Sequence, residues 1–160
     1  MLPAPDAAGS TKNPGVRAVV QRVREASVAV DDEVVASCAA GLVVLLGIAA
    51  EDGETDADRL ASRVARLRVF ENEAGRFDRS LLDVAGEALV VSQFTLIADT
   101  RKGNRPSFTD AAGSEQAAPL YERFCSALEC AGIRVSRGVF GARMVVALEN
   151  DGPVTIVLET

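Results

Sequence analysis

Ser92, Gln93 and Thr95 interrupt an otherwise hydrophobic stretch, residues 87–97 (EALVVSQFTLI). A buried polar group left unpaired costs about 1–3 kcal/mol. A strand therefore keeps such groups when alternate ones face solvent or a ligand, or when they bond neighbouring backbone, and the residues alone leave both readings open. A hydroxyl nucleophile at Ser92 or Thr95 needs a base, and none is evident. The chain has no histidine, which removes Ser-His-Asp and Cys-His triads and histidine-ligated zinc. The lysines are only Lys12 and Lys102. Any catalysis is left to carboxylates, hydroxyls, backbone dipoles or the substrate's own groups.

Two loops could serve such chemistry. Asn150-Asp151-Gly152-Pro153 has the form of a hairpin turn with a proline entering the next strand. Residues 99–108 mix Arg101, Lys102 and Arg105 with Gly103, Asn104 and Pro106. That loop is either a solvated turn or a place where cations and close backbone meet phosphates. The net charge of −6 disfavours a nucleic-acid partner. Its distribution softens this, since Arg59, Arg63 and Arg66 also fall on one helical face. Three cysteines, Cys38, Cys125 and Cys130, argue against a disulfide framework. Cys125 and Cys130 share no helix face well, so we expect packing residues and no metal site.

The elements that must hold these residues follow from periodicity. With 160 residues, 48% hydrophobic and 25% charged, the chain is one ordinary globular domain by length and composition. The longest apolar run, residues 39–50, is too short to span a membrane, and the cytoplasm is the expected location. Residues 1–15 are rich in Pro, Ala, Gly, Ser and Thr and are expected to be a disordered extension. The domain then covers 16–160. Strands are expected at 17–23, at 27–30 with hairpin partner 33–37, and at 41–48, which is apolar throughout and thus buried and central. Thr55 can cap a helix whose core stripe is Leu60, Val64 and Leu67. A short strand starts at 69–70, and a longer one spans 87–97. A second helix lies within 115–131, with stripe Leu120, Phe124 and Leu128, Pro119 in its first turn and Gly132 as its stop. Strands at 134–139, 144–149 and 154–158 close the chain. About eight strands and two main helices make a single compact, sheet-rich α/β domain. Without βαβ units among the first strands, or a GxGxxG or P-loop, a doubly wound fold is not expected.

Taken together, RAVVQRV at 17–23, GLVVLLG at 41–47, LVVSQFTL at 89–96, DTRKGNRPSF at 99–108, LYERF at 120–124 and NDGPVT at 150–155 resemble the D-aminoacyl-tRNA deacylase family. The similarity runs from about residue 16 to the end in the family's order and spacing. SQFTL and NxGPVT are its two signature segments, and their joint occurrence is highly specific. In that family Val16 stands where an initiator methionine is expected.

The resemblance implies a homodimeric hydrolase that cleaves the ester of D-aminoacyl-tRNA, without cofactor or metal. It implies that Gly152-Pro153 is a cis dipeptide reaching from one subunit into the other's active site. There its carbonyls hold the substrate's α-ammonium and leave no room for an L side chain. Glycine can pass, so glycyl-tRNA mischarged on tRNA-Ala is an expected substrate. Ser92, Gln93 and Phe94 are implied around the ester and the terminal adenosine, and Thr95 is the family's long-suspected nucleophile. The preferred mechanism is substrate assistance through the adenosine 2′-hydroxyl. Phe140 and Met144 fit a stretch beside the bound substrate, and Arg101, Lys102 and Arg105 are implied to meet tRNA. The chain departs from the family at Arg143, where many members carry an acid, at Val145, often polar, and at Phe77-Asp78, often Met-Asn. The rivals are a conventional hydrolase with Thr95 or Ser92 as nucleophile, and a non-catalytic RNA-binding dimer. A trapped aminoacyl-enzyme marks the first, and absence of amino-acid release marks the second.

Overall fold

Burial alternates along the first strand, β1 (Arg17–Val30), with Ala18, Val20 and Arg22 inward, and its phase changes between Val23 and Ala26. That change marks a bend. The computed structural model describes residues 15–160, and in it the expected strands at 17–23 and 27–30 are one continuous element. The polar pair Arg24-Glu25 sits exposed at the irregularity and does not end the strand. Strand β2 (Glu33–Cys38) returns antiparallel on β1 through Asp31 and Asp32. Both have positive φ, 50° and 65°, as a tight right-twisting hairpin requires. The expectation for residues 1–15 falls outside the described residues except at Gly15, whose N–H donates to the Thr160 carbonyl.

Strand β3 (Gly41–Gly47) is buried along nearly its whole length, as its apolar run predicts. It lies antiparallel to β1 and parallel to the strand at 87–92. Helix α1 (Glu54–Arg66) follows β3, burying Leu60 and Val64, each contributing about 1.5–3 kcal/mol. Its N-cap is Gly53, not Thr55: the Asp56 carboxylate accepts the Gly53 N–H at 2.9 Å and takes over the capping. Leu67 lies just past the helix as its C-cap. A small hairpin, β4 (Phe70–Glu71) and β5 (Phe77–Arg79), comes next.

Strand β6 (Glu87–Ser92) ends five residues sooner than the apolar pattern predicts. Its neighbour β3 stops at Gly47, and the last paired residues are Leu46 and Ser92. With no strand left to pair, the chain turns at Gln93 and closes a 3₁₀ turn, Phe94–Ile97. Helix α2 (Ser114–Cys130) precedes β7 (Arg134–Arg137), which lies parallel to β6. Pro119 is inside α2 rather than in its first turn. It is exposed, so the carbonyl its ring leaves unbonded can meet water.

The last strand, β8 (Val145–Glu159), corrects a second expectation. Asn150 to Pro153 is not a hairpin turn, because both halves of β8 pair antiparallel with β1 and not with each other. The two long strands bend together. Sheet order is β2-β1-β3-β6-β7, with β8 on β1. Leu42, Val44 and Val90 pack with Leu60, Val64, Phe124 and Leu128 of both helices. Val43, Leu89 and Val91 pack instead with Val28, Cys38, Met144 and Val146. Helices thus cover one face and the bent strands the other, giving a near-barrel sheet and not a doubly wound one. No helix among the described residues is long and apolar enough to cross a membrane.

Candidate active site

The carboxyl ends of β3 and β6 lie side by side, and the chain turns sharply just beyond them. Gly47 has no room for a side chain: a β-carbon there would stand 2.9 Å from Leu96 Cβ and 3.1 Å from the Gln93 carbonyl. The Gln93 N–H donates to the Leu46 carbonyl at 2.8 Å, pinning the start of the 3₁₀ turn to β3. A cavity of about 480 Å³ opens at this end of the sheet. It brings Ser92, Gln93 and Phe94 together with Phe140 and Met144, five of the residues singled out from the sequence. Thr95 is exposed beside it, and its hydroxyl accepts from the Gln93 side-chain amide. The Phe94 ring is 55% exposed and stands edge-on to Phe108, 5.1 Å between centroids.

Behind the cavity, the buried Tyr121 hydroxyl donates to the Val90 carbonyl at 2.7 Å, and its ring meets Phe140 at 5.9 Å. Ala112, Gly113 and Ser114 also line the cavity, and the sequence reading missed them. They reach it because the Ala112 N–H donates to the Ile48 carbonyl at 3.0 Å. The sequence places the second helix within 115–131, so its start at Gly113-Ser114 was not read, and nothing local joins that segment to β3.

Gly152 and Pro153 are not in this cavity. Asn150 pairs with Val23, which also faces Gly41, so they lie near the amino end of β3 while the cavity lies at its carboxyl end. Their level on β3 is near Leu42, and the cavity begins at Leu46, about 13 Å further along the strand. The Gly152-Pro153 bond is cis, Gly152 has φ +139°, and both residues are exposed. Arg22, only 7% exposed, holds this corner. Its guanidinium donates to the carbonyls of Asp151 (2.9 Å) and Val69 (2.8 Å) and pairs with Glu71 at 3.3 Å. Asn150 Oδ1 accepts the Val154 N–H at 2.7 Å. Phe77, one of the departures from the family pattern, lies with its ring centroid 5.6 Å from the Arg22 guanidinium. Arg22 was not singled out from the sequence, although a charged residue at an inward position of RAVVQRV was its signal. Of the other departures, Asp78 pairs with Arg68, and Arg143 and Val145 are exposed.

In the 99–108 loop, Arg101 is tied to Asp99 at 2.9 and 2.7 Å and draws that carboxyl down to about 2. Lys102 and Arg105 stand exposed. Burial pushes the Cys38 thiol up to about 11 and the Cys125 thiol up to about 12, so neither offers a thiolate near neutrality. Asp52, just beyond β3, accepts the Ala49 N–H at 2.7 Å. Desolvation by burial raises its carboxyl to about 6. As a set, the cavity is lined by the hydroxyls of Ser92 and Ser114, the Gln93 amide and aromatic walls, and the 3₁₀ turn begins at its edge with Phe94. The leading amides of such a turn lack acceptors within it and can stabilise an oxyanion.

A family model described as D-Tyr-tRNA(Tyr) deacylase matches residues 19–159. The D-aminoacyl-tRNA deacylase of Roseiflexus sp. (strain RS-1) is 61% identical over 145 residues, 91% of this chain and 94% of that one. That of Thermus aquaticus is 57% identical, with 91% and 95% covered. A solved structure described as c-Myc DNA Unwinding Element Binding Protein has a TM-score of 0.85 at 43% identity, covering 90% of this chain and 98% of that one. A probable eukaryotic D-amino acid tRNA deacylase has a TM-score of 0.80 at 19% identity, covering 91% and 99%, a likeness of fold alone. With the family match running through both signature segments and nearly the whole described domain, the chain belongs to the D-Tyr-tRNA(Tyr) deacylase family.

Proposed function

We propose that this chain, a hydrolase of aminoacyl-tRNA by family, removes D-amino acids from tRNA by positioning the substrate and not by a protein nucleophile. The observation that carries this reading is the cavity, where the polar end of β6 meets Phe140 and Met144 in a chain without histidine. An aminoacyl ester is already activated by its ammonium and neighbouring hydroxyl, so the barrier to be removed is modest. Positioning supplies several kcal/mol and oxyanion donors a few more. The 2′-hydroxyl of the terminal adenosine directs water onto the carbonyl carbon. The amides of Phe94 and Thr95 receive the developing oxyanion. The ester C–O bond then breaks, and the departing ribose oxygen takes a proton, leaving free D-amino acid and tRNA. Ser92 and Gln93 hold the ester and adenosine, while Phe140 and Met144 wall the substrate. Arg101, Lys102 and Arg105 meet tRNA phosphates.

Chirality is read by Gly152 and Pro153 of a second copy. A chain's own pair lies about 13 Å from the start of its own cavity along β3 and does not line it, so a pair acting there has to come from a partner. A symmetric dimer makes two such sites from one surface used twice. The dipeptide's carbonyls hold the ammonium and block an L side chain, and glycine, including glycine mischarged on tRNA-Ala, passes. The enzyme works in the cytoplasm, where charged tRNA is used.

The test compares release of amino acid from D-tyrosyl-tRNA and L-tyrosyl-tRNA, with a 2′-deoxy terminal adenosine as control. Only the D substrate should turn over, and the 2′-deoxy substrate should lose more than the Thr95→Ala enzyme does. A trapped aminoacyl-Thr95, or the opposite order of losses, overturns substrate assistance.

A further inference from the structure

The 3₁₀ turn that carries Phe94 and Thr95 has little packing of its own. Of its four residues only Ile97 is buried, and short 3₁₀ segments have weak internal hydrogen bonding. Its shape is therefore set from outside, by the Gln93-to-Leu46 bond at its start, by the space Gly47 leaves empty, and by Arg17. Arg17 opens β1 and pairs with Gly47 on one side and Glu159 on the other. Its Nη1 donates to the Leu96 carbonyl at 2.6 Å, a contact between residues 79 apart in the chain. Its Nε lies 3.0 Å from Glu159 Oε1, an ion pair without hydrogen-bond alignment. Glu159 is steadied in turn, because Arg63 Nη1 donates to its carbonyl at 2.5 Å. The Arg17 side chain is 26% exposed, so its bond to Leu96 is partly shielded from water. A cation also suits a carbonyl near the carboxyl end of a helical turn.

We propose that Arg17, oriented by Glu159, is a positioning residue that fixes the 3₁₀ turn and so holds the Phe94 and Thr95 amides at the cavity mouth. It touches Leu96, not substrate. The two ends of the folded domain, the first residue of β1 and the last of β8, thus meet at the segment that faces the ester. This inference rests on the deacylase reading above for its kinetic part only.

The experiment uses the full chain with Arg17→Met, Arg17→Lys and Glu159→Gln, reading D-tyrosyl-tRNA hydrolysis, melting temperature and amide hydrogen exchange. Arg17→Met should lower kcat about tenfold with KM nearly unchanged, the mark of misplaced reacting groups. Arg17→Lys, still able to donate to Leu96, should recover most of that loss, and Glu159→Gln should fall between. Exchange of the Leu96 and Ala98 N–H groups, which bond Gln93 and Thr95 carbonyls across the turn, should quicken while that of Val90 in β6 stays as it was. Unchanged kcat and unchanged exchange in Arg17→Met overturn the proposal, as does a loss confined to KM or no recovery with lysine. If Arg17→Met fails to fold, Glu159→Gln and Arg17→Lys carry the same readouts. Should the wild-type chain hydrolyse no D-aminoacyl-tRNA, the functional reading fails, and the exchange data still decide whether Arg17 fixes the turn.

Discussion

At the scale of single residues, Gly152 joins two constraints. Its φ of +139° is a conformation that L side chains rarely adopt, and an added β-carbon would stand 2.8 Å from Val154 Cγ2 and 3.0 Å from Val154 N. From the sequence, Gly152→Ala is expected to harm turnover by crowding with little loss of fold. The corner's geometry changes that expectation, since the substitution also strains the backbone by about 1–3 kcal/mol. We therefore expect a lower melting temperature together with the loss of D-substrate turnover, measured by calorimetry and amino-acid release on one preparation. Mixing this variant with a Gln93→Ala variant tests the cross-subunit reading. Each hybrid dimer regains one intact cavity with an intact dipeptide, so activity should return, while a monomeric site gives none.

At the scale of elements, the pairing of β3 with β6 decides whether the cavity exists. A β-carbon on Gly41 would fall 1.8 Å from the Glu87 carbonyl oxygen, a backbone atom that cannot step aside. Gly41→Ala should cost about 4 kcal/mol or more, among the largest single-residue effects, and denaturant unfolding checks it. Elements with strong local patterns were legible. The stripe Leu60, Val64 and the stripe Leu120, Phe124, Leu128 are buried as their spacing predicts. The misreadings share one cause. SQFTL has the composition of a strand, yet a strand needs a neighbour, and β3 ends first. NDGPVT has the composition of a hairpin turn, yet β1 bends at the same level and keeps both halves of β8 on its own edge.

At the scale of the whole molecule, Asp52 predicts how stability varies with pH. Burial raises its carboxyl to about 6, and nearby Asp56 and Glu51 push the same way. A raised acid favours the folded state most fully below its ordinary value, near pH 4. That contribution is lost as pH climbs through about 6, because the unfolded chain releases the proton sooner. Asp52→Asn removes the titration and keeps an acceptor for the Ala49 N–H. The melting temperature of Asp52→Asn relative to wild type should rise between pH 4 and 6 and level off above 7. A flat difference across that range refutes the assignment.

The sheet-rich class, the buried central strand and the helix faces were legible from residue order, because apolar periodicity is a local property read directly by burial. So was the family, because two short signatures in fixed order are rarely shared by accident. That Phe140, Met144 and Ala112–Ser114 reach the same cavity as Ser92 and Gln93 came from the folded arrangement. The same arrangement set Gly152-Pro153 at the other end of β3 and made Arg22 and Arg17 the clamps of the two signatures. Those relations depend on where β1 bends and which strand runs out first. Such properties belong to the pairing of distant segments, and no window of sequence contains them.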